Sequence, residues 1–179
     1  MSLFSAVVCT YNRCESLRDT LRSLTRQELP GGATLEIVVV DNNSRDQTRR
    51  VVEDAARGSA WPIRYVTEPQ QGIAYARNRG LREANGACAA FIDDDAIAQQ
   101  DWAASILRCF EETGADLIGG KVGALWLTPR PNWVTDELLG PVMTVDFGPQ
   151  RKRCRQETFL TTNCAIRLAS LERFGPFDA

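Results

Sequence analysis

The sequence predicts an α/β fold in which a mostly parallel sheet carries helices on both of its faces. Short apolar runs rich in β-branched residues alternate with longer segments whose apolar residues recur at helical spacing. Right-handed connections between parallel strands then place helices on both sides of one sheet. The apolar runs are typical of strands buried on both faces. They are residues 4–9, 35–40, 63–66 and 87–92.

Three helices are predicted between these strands. The first spans about residues 14–27, and Asn12 with Glu15 is expected to cap its N-terminus. The second ends at Gly58 and the third at Gly86. Their apolar stripes are Leu17, Leu21 and Leu24; Val51, Val52, Ala55 and Ala56; and Ile73, Ala76, Gly80 and Ala84.

The chain becomes less regular after about residue 101. A fourth helix is predicted from an apolar face formed by Trp102, Ile106, Cys109 and Phe110. Residues 121–127 are a candidate strand. The stretch beyond them favours neither helix nor strand because prolines interrupt it, and long irregular stretches in a compact domain are often functional. These prolines are Pro129, Pro131, Pro141 and Pro149.

The composition excludes several kinds of catalytic machinery. The 179 residues include no histidine, which rules out Ser-His-Asp and Cys-His nucleophiles, imidazole bases and histidine-containing zinc sites. An acid, base or metal ligand in this chain is therefore a carboxylate or a cysteine. The 21 basic and 23 acidic side chains nearly balance, which argues against a nucleic-acid partner, because such a partner requires a broad basic surface.

The sequence also predicts a soluble, cytoplasmic domain. Its longest unbroken apolar run, at residues 87–92, is far shorter than the roughly 20 residues of a membrane-spanning helix, and no signal segment opens the chain. The six cysteines form no Cys-x-x-Cys pair and are expected to be reduced thiols. They are Cys9, Cys14, Cys88, Cys109, Cys154 and Cys164.

Polar residues follow each predicted strand. Thr10, Asp41, Glu68 and Asp93 come just after the four apolar runs. Because the carboxyl ends of parallel strands meet at one edge of a sheet, and ligands bind beyond that edge, these residues are expected to converge there. This edge is the candidate functional site.

Three adjacent carboxylates, Asp93, Asp94 and Asp95, follow the last apolar run. Like charges so close are costly to keep ionised, so either one is protonated or a cation neutralises the group. Oxygen ligands without histidine or cysteine favour a hard ion such as Mg2+ or Mn2+. In an extended chain Asp93 and Asp95 point the same way, which suits joint binding of one ion. Taken alone, such a triplet is more often a solvated acidic turn, so its context has to decide.

Four segments in this order resemble the inverting glycosyltransferase family 2, whose members have the GT-A fold. They are Val-Val-Cys-Thr-Tyr-Asn-Arg at 7–13, Val-Val-Val-Asp-Asn-Asn-Ser at 38–44, Gly-Ile-Ala-Tyr-Ala-Arg-Asn at 72–78 and Phe-Ile-Asp-Asp-Asp at 91–95. Two later segments, at 162–167 and 174–178, are similar to that family's acceptor-side segments. The resemblance covers nearly the whole chain and implies a Rossmann-like, mostly parallel sheet with helices on both faces.

The resemblance implies a glycosyltransferase of polysaccharide or cell-envelope biosynthesis. Such an enzyme uses Mn2+ or Mg2+ and transfers a sugar, with inversion, from a nucleoside-diphosphate sugar, here expected to be a UDP-sugar, to a hydroxyl of a saccharide or lipid-linked acceptor. Residues 1–179 would form one GT-A domain, with about 1–100 as the nucleotide-sugar-binding half and about 101–179 as part of the acceptor half. The expected location is cytoplasmic, with a peripheral contact at the inner face of the membrane allowed.

The resemblance also assigns residues to the donor. Thr10, Tyr11 and Arg13 match the loop that holds the nucleotide, and Asp41 matches the carboxylate that accepts a hydrogen bond from the base. Arg77 matches a residue that faces the donor, and its guanidinium is able to pair with Asp41, Asp93 or a diphosphate.

The Asp triplet matches the family's Asp-x-Asp motif. Asp95 is the expected direct metal ligand, with Asp93 as the second candidate ligand, whereas Asp93 or Asp94 would lie nearer the ribose. The family's general base is a carboxylate shortly after the Phe-Asp segment. Asp178 matches the residue before that motif, so the base is expected beyond Ala179 and transfer by this chain alone is expected to be slow or absent.

Each assignment has a structural alternative. The Asp-Asn-Asn-Ser segment at Asp41 is equally typical of a turn with Asx hydrogen bonds. Tyr11 is also compatible with packing against the sheet edge, Arg77 with an ordinary helix-surface charge, and Gly72 with a turn glycine. The basic run at 151–155 is more typical of a solvated loop than of a phosphate or lipid-headgroup site. Trp126 and Trp133 fit an acceptor groove or buried structural positions equally well.

Two other functions remain open on the sequence. The first is a non-catalytic module that binds sugar nucleotides, which a missing base would allow. The second is a sugar-nucleotidyltransferase of similar fold, although such an enzyme carries a Gly-rich basic loop after its first strand and residues 9–13 contain no glycine. A P-loop kinase is excluded because no GxxxxGK motif occurs.

Overall fold

A six-stranded mixed sheet lies at the centre of the fold, in a computed structural model that describes residues 3–139, 144–153 and 160–178. The strands are β1 (Leu3–Thr10), β2 (Thr34–Asp41), β3 (Ile63–Thr67), β4 (Cys88–Phe91), β5 (Leu117–Gly119) and β6 (Cys164–Arg167). Their order across the sheet is β3-β2-β1-β4-β6-β5. The first four are parallel, whereas β6 is antiparallel to both β4 and β5. The predicted α/β class with a mostly parallel sheet is confirmed.

Helices cover both faces of this sheet. They are α1 (Cys14–Thr25), α2 (Thr48–Gly58), α3 (Ile73–Glu83), α4 (Trp102–Thr113), α5 (Asp136–Leu139) and α6 (Leu171–Phe174). One face packs against α1, α2 and α4, and the other packs against α3. Within the described ranges, no helix is long and apolar enough to cross a membrane.

The two central strands are buried on both faces because their side chains alternate between two cores. In β1, Phe4, Ala6 and Val8 face the core under α1, α2 and α4, whereas Val7 faces the core under α3. All four are fully buried. By contrast β3, predicted to be buried on both faces, is the edge strand of the sheet and most of its residues are only partly buried.

The predicted strand at residues 121–127 is wrong. Strand β5 lies earlier, and in the predicted segment only Val122 pairs, through an isolated bridge to Val145. The adjacent backbone groups bind Asn163 instead of a neighbouring strand. The Gly120 N–H donates to the Asn163 carbonyl at 2.9 Å, and the Lys121 carbonyl accepts from Asn163 Nδ2 at 2.9 Å. A ladder over 121–127 would lose these bonds.

The predicted cap of the first helix is also wrong. Residue Asn12 has a positive φ of 54° and lies outside α1, whose N-cap position is Arg13. The Cys14 N–H donates instead to Asp46 Oδ2 at 2.9 Å, from the loop before α2. Asp46 also accepts from Thr48, and although burial alone would raise the pKa of Asp46, these hydrogen bonds lower it to about 2. One carboxylate therefore serves the N-termini of two helices, where negative charge is favourable.

Helix α3 ends before the predicted Gly86, at Glu83. The chain turns away there because the Asn85 N–H and side-chain amide both donate to Glu36, at 2.6 and 3.1 Å. Glu36 is buried at the amino end of the sheet and also accepts from the Ser5 hydroxyl at 2.6 Å and from Arg64 at 3.3 Å. Burial raises the pKa of Glu36, but these four donors outweigh it and the net pKa is lowered.

Five of the six cysteines lie in the described residues, and all five are free: Cys9, Cys14, Cys88, Cys109 and Cys164. Burial raises the pKa of Cys9 to about 12 and those of Cys88 and Cys164 to about 11. These three are protonated at neutral pH, so none is an activated thiolate. Cys154 lies outside the described residues.

Candidate functional site

A cleft of about 1120 Å³ opens at the carboxyl ends of β1 and β4. These strands are neighbours although β2 and β3 lie between them in sequence, because the chain moves outward from β1 to β3 and returns through α3 to the other side of β1. The strand order reverses between β1 and β4, and open α/β sheets bind ligands at such a point. Residues from about 9–13, 71–77, 92–102 and 121–125 line the cleft, so both predicted halves of the chain contribute to it.

The loop after β1 is fastened to the loop after β2. Asn12 N–H donates to Ser44 Oγ at 2.9 Å, and Asn12 Oδ1 accepts from the Arg45 N–H at 2.7 Å. Asparagine tolerates the left-handed backbone that this exchange requires. The bonds fix the backbone between Tyr11 and Arg13, both of which line the cleft. Tyr11 is 48% exposed, so it does not simply pack against the sheet edge.

Asn42 is a buried connector that the sequence did not single out. Its Nδ2 donates to the carbonyls of Glu68 and Gln70 at 2.9 and 2.7 Å, and its Oδ1 accepts from the Gly72 N–H at 2.8 Å. Gly72 has a φ of 145°, a conformation that favours glycine, and begins α3. Asn42 thus fixes the entry of α3 at the cleft. Its partners lie about 30 positions away, so no local pattern distinguishes it from Asn43.

The Asp93–Asp95 triplet forms a turn and not the extended segment expected, and its carboxylates meet different partners. The Ala96 N–H donates to the Asp93 carbonyl at 3.1 Å, which closes the turn. Asp93 Oδ2 accepts from the Thr162 hydroxyl. Asp95 Oδ2 accepts from Arg13 Nη1 at 2.5 Å.

Asp94 is the buried member of the triplet, 7% exposed. Burial raises the pKa of Asp94, against the opposing effects of the Thr10 hydroxyl and of Arg13, which lies 3.7 Å away. Thr10 Oγ1 is itself buried and forms no hydrogen bond of normal geometry with any described residue, although it is close enough to Asp94 to favour the charged carboxylate. Thr10 therefore places a hydroxyl donor beside Asp94 at the cleft wall.

Asp41 is 4% exposed and lies behind the cleft wall rather than on it. One carboxylate oxygen accepts from the Ser44 N–H at 2.9 Å, and the other accepts from the Tyr65 hydroxyl. The Asx turn considered for this segment therefore exists. Burial, followed by the Asp41 carboxylate, raises the pKa of Tyr65. Glu68, predicted to join this edge, turns away from the cleft and accepts from the Gln70 N–H at 2.9 Å.

Arg77 lines the cleft on the side of α3. Its Nη2 donates to the Thr161 hydroxyl, and its guanidinium lies 5.6 Å from the centre of the Phe177 ring. Of the partners considered for Arg77, neither Asp41 nor Asp93 forms a hydrogen bond or ion pair with it in the described structure. Arg77 is held by the acceptor-side segments, so it is more than a free surface charge.

The segment at 162–167 completes the cleft. Asn163 Oδ1 accepts from Trp102 Nε1 at 2.9 Å, and a side chain on Gly120 would come within 2.3 Å of Asn163 Nδ2. Glycine at this position therefore lets the two segments approach closely. Thr162 and Asn163 both face the cleft.

The tryptophans and the basic run that follow residue 125 do not line the cleft in the part of the chain that the structure describes. Trp126 and Trp133 are 42% and 74% exposed, so the alternative of buried structural tryptophans is wrong, but neither lines the cleft. Arg151 in the basic run pairs with Glu112 of α4. The rest of that run beyond residue 153, including Arg155, lies outside the described residues.

A metal ion would need ligands from outside the chain as well as from it. In residues 3–139, 144–153 and 160–178, no group of three or more carboxylates or thiolates is arranged to hold a metal. The donor set nevertheless fits Mg2+ or Mn2+ shared with a nucleotide, because the triplet supplies only oxygen ligands. Asp95 is 53% exposed at the cleft. Such ions are commonly held by one or two carboxylates together with substrate phosphates and water.

Comparison with known proteins gives related sequences over most of the chain. Succinoglycan biosynthesis protein ExoM of Rhizobium meliloti (strain 1021) is 37% identical over 127 residues, or 71% of this chain and 41% of that protein. Glycosyltransferase AglE of Haloferax volcanii is 32% identical over 173 residues, or 97% of this chain and 55% of that protein. The chain spans about half the length of the curated relatives it matches.

Solved structures give the same fold. S. aureus TarS 1-349 in complex with UDP has a TM-score of 0.72 at 25% identity, over 97% of this chain and 49% of that one. Mannosyltransferase PcManGT from Pyrobaculum calidifontis, in complex with GDP-Man and Mn2+, has a TM-score of 0.70 at 24% identity, over 98% of this chain and 47% of that one. These likenesses confirm the GT-A fold. The model of glycosyl transferase family 2 matches residues 5–175. The chain therefore belongs to glycosyl transferase family 2.

Proposed function

We propose that this chain binds a nucleoside-diphosphate sugar, a UDP-sugar, together with Mn2+ or Mg2+. We further propose that it transfers the sugar, with inversion, to a hydroxyl of a saccharide or lipid-linked acceptor. The observation that carries the proposal is the convergence of the Thr10–Arg13 loop and the Asp93–Asp95 turn at the strand-order reversal, where both face one cleft. The family and the nucleotide complexes of two solved relatives support it.

The charges at the cleft explain why a cation belongs to this proposal. Three carboxylates line the cleft, and the cationic side chains among its described lining residues are Arg13, Arg77 and Lys121. Lys121 pairs with Asp146 at 2.6 Å. A nucleoside diphosphate is itself anionic, so carboxylates would repel it unless a cation lay between. Asp95 and Asp93 would hold that ion. When bound, it would act as a Lewis acid that stabilises charge on the departing diphosphate.

Side chains that line the cleft would bind the rest of the nucleotide. Arg13 and Arg77 would pair with phosphate oxygens, because guanidinium groups present several donors in a fixed plane. Tyr11 would cover the nucleotide from the mouth of the cleft. Thr10 would donate its hydroxyl to the bound donor or to Asp94.

Asp41 would select the base. A carboxylate accepts hydrogen bonds only and has about four lone-pair sites, of which the structure uses two. An N–H of uracil satisfies this acceptor. Because Asp41 lies behind the cleft wall, the base would have to reach it past the loop that follows β2.

No general base is assigned. Of the described residues that line the cleft, only Asp93, Asp94 and Asp95 carry carboxylates, and they lie on the donor side. The acceptor would enter beside residues 121–125 and Thr162, the residue that donates to Asp93. The cytoplasmic location, the peripheral membrane contact and the division near residue 100 stay predictions.

Calorimetry of UDP binding tests the proposal. UDP is expected to bind much more tightly with Mn2+ than with a chelator, and more tightly than GDP if Asp41 reads a uracil. Equal UDP affinity with metal and with chelator would contradict the metal role. Slow hydrolysis of a UDP-sugar by the chain would distinguish a transferase from a binding module, because a module holds its ligand unchanged.

A further inference from the structure

Arg13 lies where a metal ion would be needed. Its Nη1 is 2.5 Å from Asp95 Oδ2 and 3.7 Å from Asp94 Oδ1, so one guanidinium contacts two members of the triplet. Asp93 takes no part in this contact and meets Thr162 instead. In the free chain the triplet therefore already has a counter-ion, supplied by the loop after β1.

The backbone of Arg13 is fixed by hydrogen bonds, whereas its side chain is exposed. Asn12, the residue before Arg13, is hydrogen-bonded to Ser44 and Arg45. At the start of α1, the Leu17 N–H donates to the Arg13 carbonyl at 3.0 Å. The side chain of Arg13 is 56% exposed and that of Asp95 is 53% exposed. A long, solvated side chain on a fixed backbone can change partners without disturbing the fold.

The geometry points to an exchange of partners at Arg13, an inference that rests on the proposed function. We infer that the Arg13 guanidinium pairs with the Asp95 carboxylate in the free protein and moves to the donor diphosphate when the metal-bound donor enters. A guanidinium at 2.5 Å from Asp95 Oδ2 and a divalent cation on the same carboxylate would repel each other, so the two compete for Asp95. The incoming diphosphate offers the displaced guanidinium a bidentate anionic partner.

The exchange costs little because the ion pair is exposed. Exposed pairs contribute at most about 1 kcal/mol, which corresponds to a competition factor of about two- to fivefold. Arg13 is thus a weak competitor for free metal and a strong partner for the metal–nucleotide complex. Metal alone would bind loosely, and metal with nucleotide would bind well.

This inference predicts effects of opposite sign for one substitution. In a titration of Mn2+ without nucleotide, followed by the electron paramagnetic resonance signal of free Mn2+, Arg13→Ala is expected to bind Mn2+ about two- to fivefold more tightly than the unchanged protein. At saturating Mn2+, the same variant is expected to bind UDP about tenfold more weakly, because a charge-assisted hydrogen bond is lost. Arg13→Lys keeps the charge and should lie between the two proteins in both measurements.

Arg18→Ala is the matched control. Arg18 lies one turn further along α1, is similarly exposed and pairs with Glu15 at 2.5 Å, outside the cleft. It should change neither affinity. A circular dichroism melt of Arg13→Ala would separate unfolding from loss of a contact, since an unfolded variant would bind neither ligand.

The outcomes separate this inference from the proposed function. If the unchanged protein binds UDP no better with Mn2+ than with chelator, the proposed function fails and the exchange fails with it. If that binding is metal-dependent but Arg13→Ala leaves Mn2+ affinity unchanged or lower, only the exchange is overturned. Tighter Mn2+ binding together with weaker UDP binding supports it, because a merely structural role would lower both.

Discussion

The side-chain amide of Asn78 and the backbone of Phe177 exchange two hydrogen bonds across 99 positions of sequence. Asn78 Nδ2 donates to the Phe177 carbonyl at 2.9 Å, and the Phe177 N–H donates to Asn78 Oδ1 at 2.8 Å. The Phe177 ring packs edge-to-face against Phe91, with 5.5 Å between ring centres, and lies beside the Arg77 guanidinium. Phe177 is thereby fixed between α3 and the end of β4, next to a residue of the cleft.

Asn78→Ala should release the segment at 175–178 from α3. Both hydrogen bonds are lost at once, which we expect to cost about 1 to 2 kcal/mol. Amide hydrogen exchange is expected to rise at Phe177, while the amides of β1 and β2 stay protected because they are bonded within the sheet. Asn132→Ala, at an exposed position, should leave exchange at Phe177 unchanged. Equal protection of Phe177 in both variants would show that ring packing alone holds the segment.

Asp95→Ala should abolish the metal dependence of UDP binding. The variant loses the exposed oxygen ligands of the triplet, so calorimetry is expected to give the same weak UDP affinity with Mn2+ and with chelator. Asp54→Ala is the control, because Asp54 pairs only with Arg50 and Arg57 on α2 among the described residues. A metal dependence that survives in Asp95→Ala would move the ligand role to Asp93 or Asp94.

Strands and helices could be predicted where each element carries its own periodicity. The alternation in β1 and the stripe of α2 up to Gly58 are local, and both are confirmed. The antiparallel end of the sheet is not local. β6 contains four residues, and its place beside β4 depends on Ala165 and Ile166 packing against residues far earlier in the chain. A short apolar run after an irregular stretch does not indicate which strand it pairs with.

In the site, too, the types of residue that meet could be predicted from the sequence, but the contacts between them could not. Polar residues at strand ends could be predicted to meet because parallel strands share an edge, and Thr10 and Asp93 do line one cleft. Their partners could not be predicted. Arg13 meets Asp95 across 82 positions. Asn12 was predicted to cap a helix because it lies two residues before α1, but its side-chain oxygen accepts a hydrogen bond from Arg45 in the loop after β2.

Asp41→Asn tests whether Asp41 reads the base. The substitution keeps the shape of the side chain and one oxygen acceptor but replaces the other oxygen with an NH2 donor. We expect it to weaken uridine and UDP binding alike, by about 1.5 to 3 kcal/mol, or roughly ten- to 150-fold. Tyr65→Phe removes only the hydroxyl that donates to Asp41 and should have a smaller effect. If Asp41→Asn binds uridine normally, Asp41 is only the Asx-turn residue of the loop after β2.

The buried carboxylate of Glu36 should make the stability of the fold depend on pH. Its folded-state pKa is lowered from 4.5 by donors that outweigh its burial, so its contribution to the free energy of unfolding is present above the unfolded pKa and lost as pH falls through the folded one. Glu36→Gln should therefore reduce stability at pH 7 by about 1.5 to 3 kcal/mol. Urea unfolding should show this difference shrinking below about pH 4.5, where the carboxylate of the unchanged protein begins to be protonated. Glu53→Gln, which breaks an exposed pair with Arg49 at 2.9 Å, should change stability by less than about 1 kcal/mol. A Glu36→Gln penalty that stays constant from pH 7 to pH 3 would mean that shape and hydrogen bonding, and not charge, account for the role of Glu36.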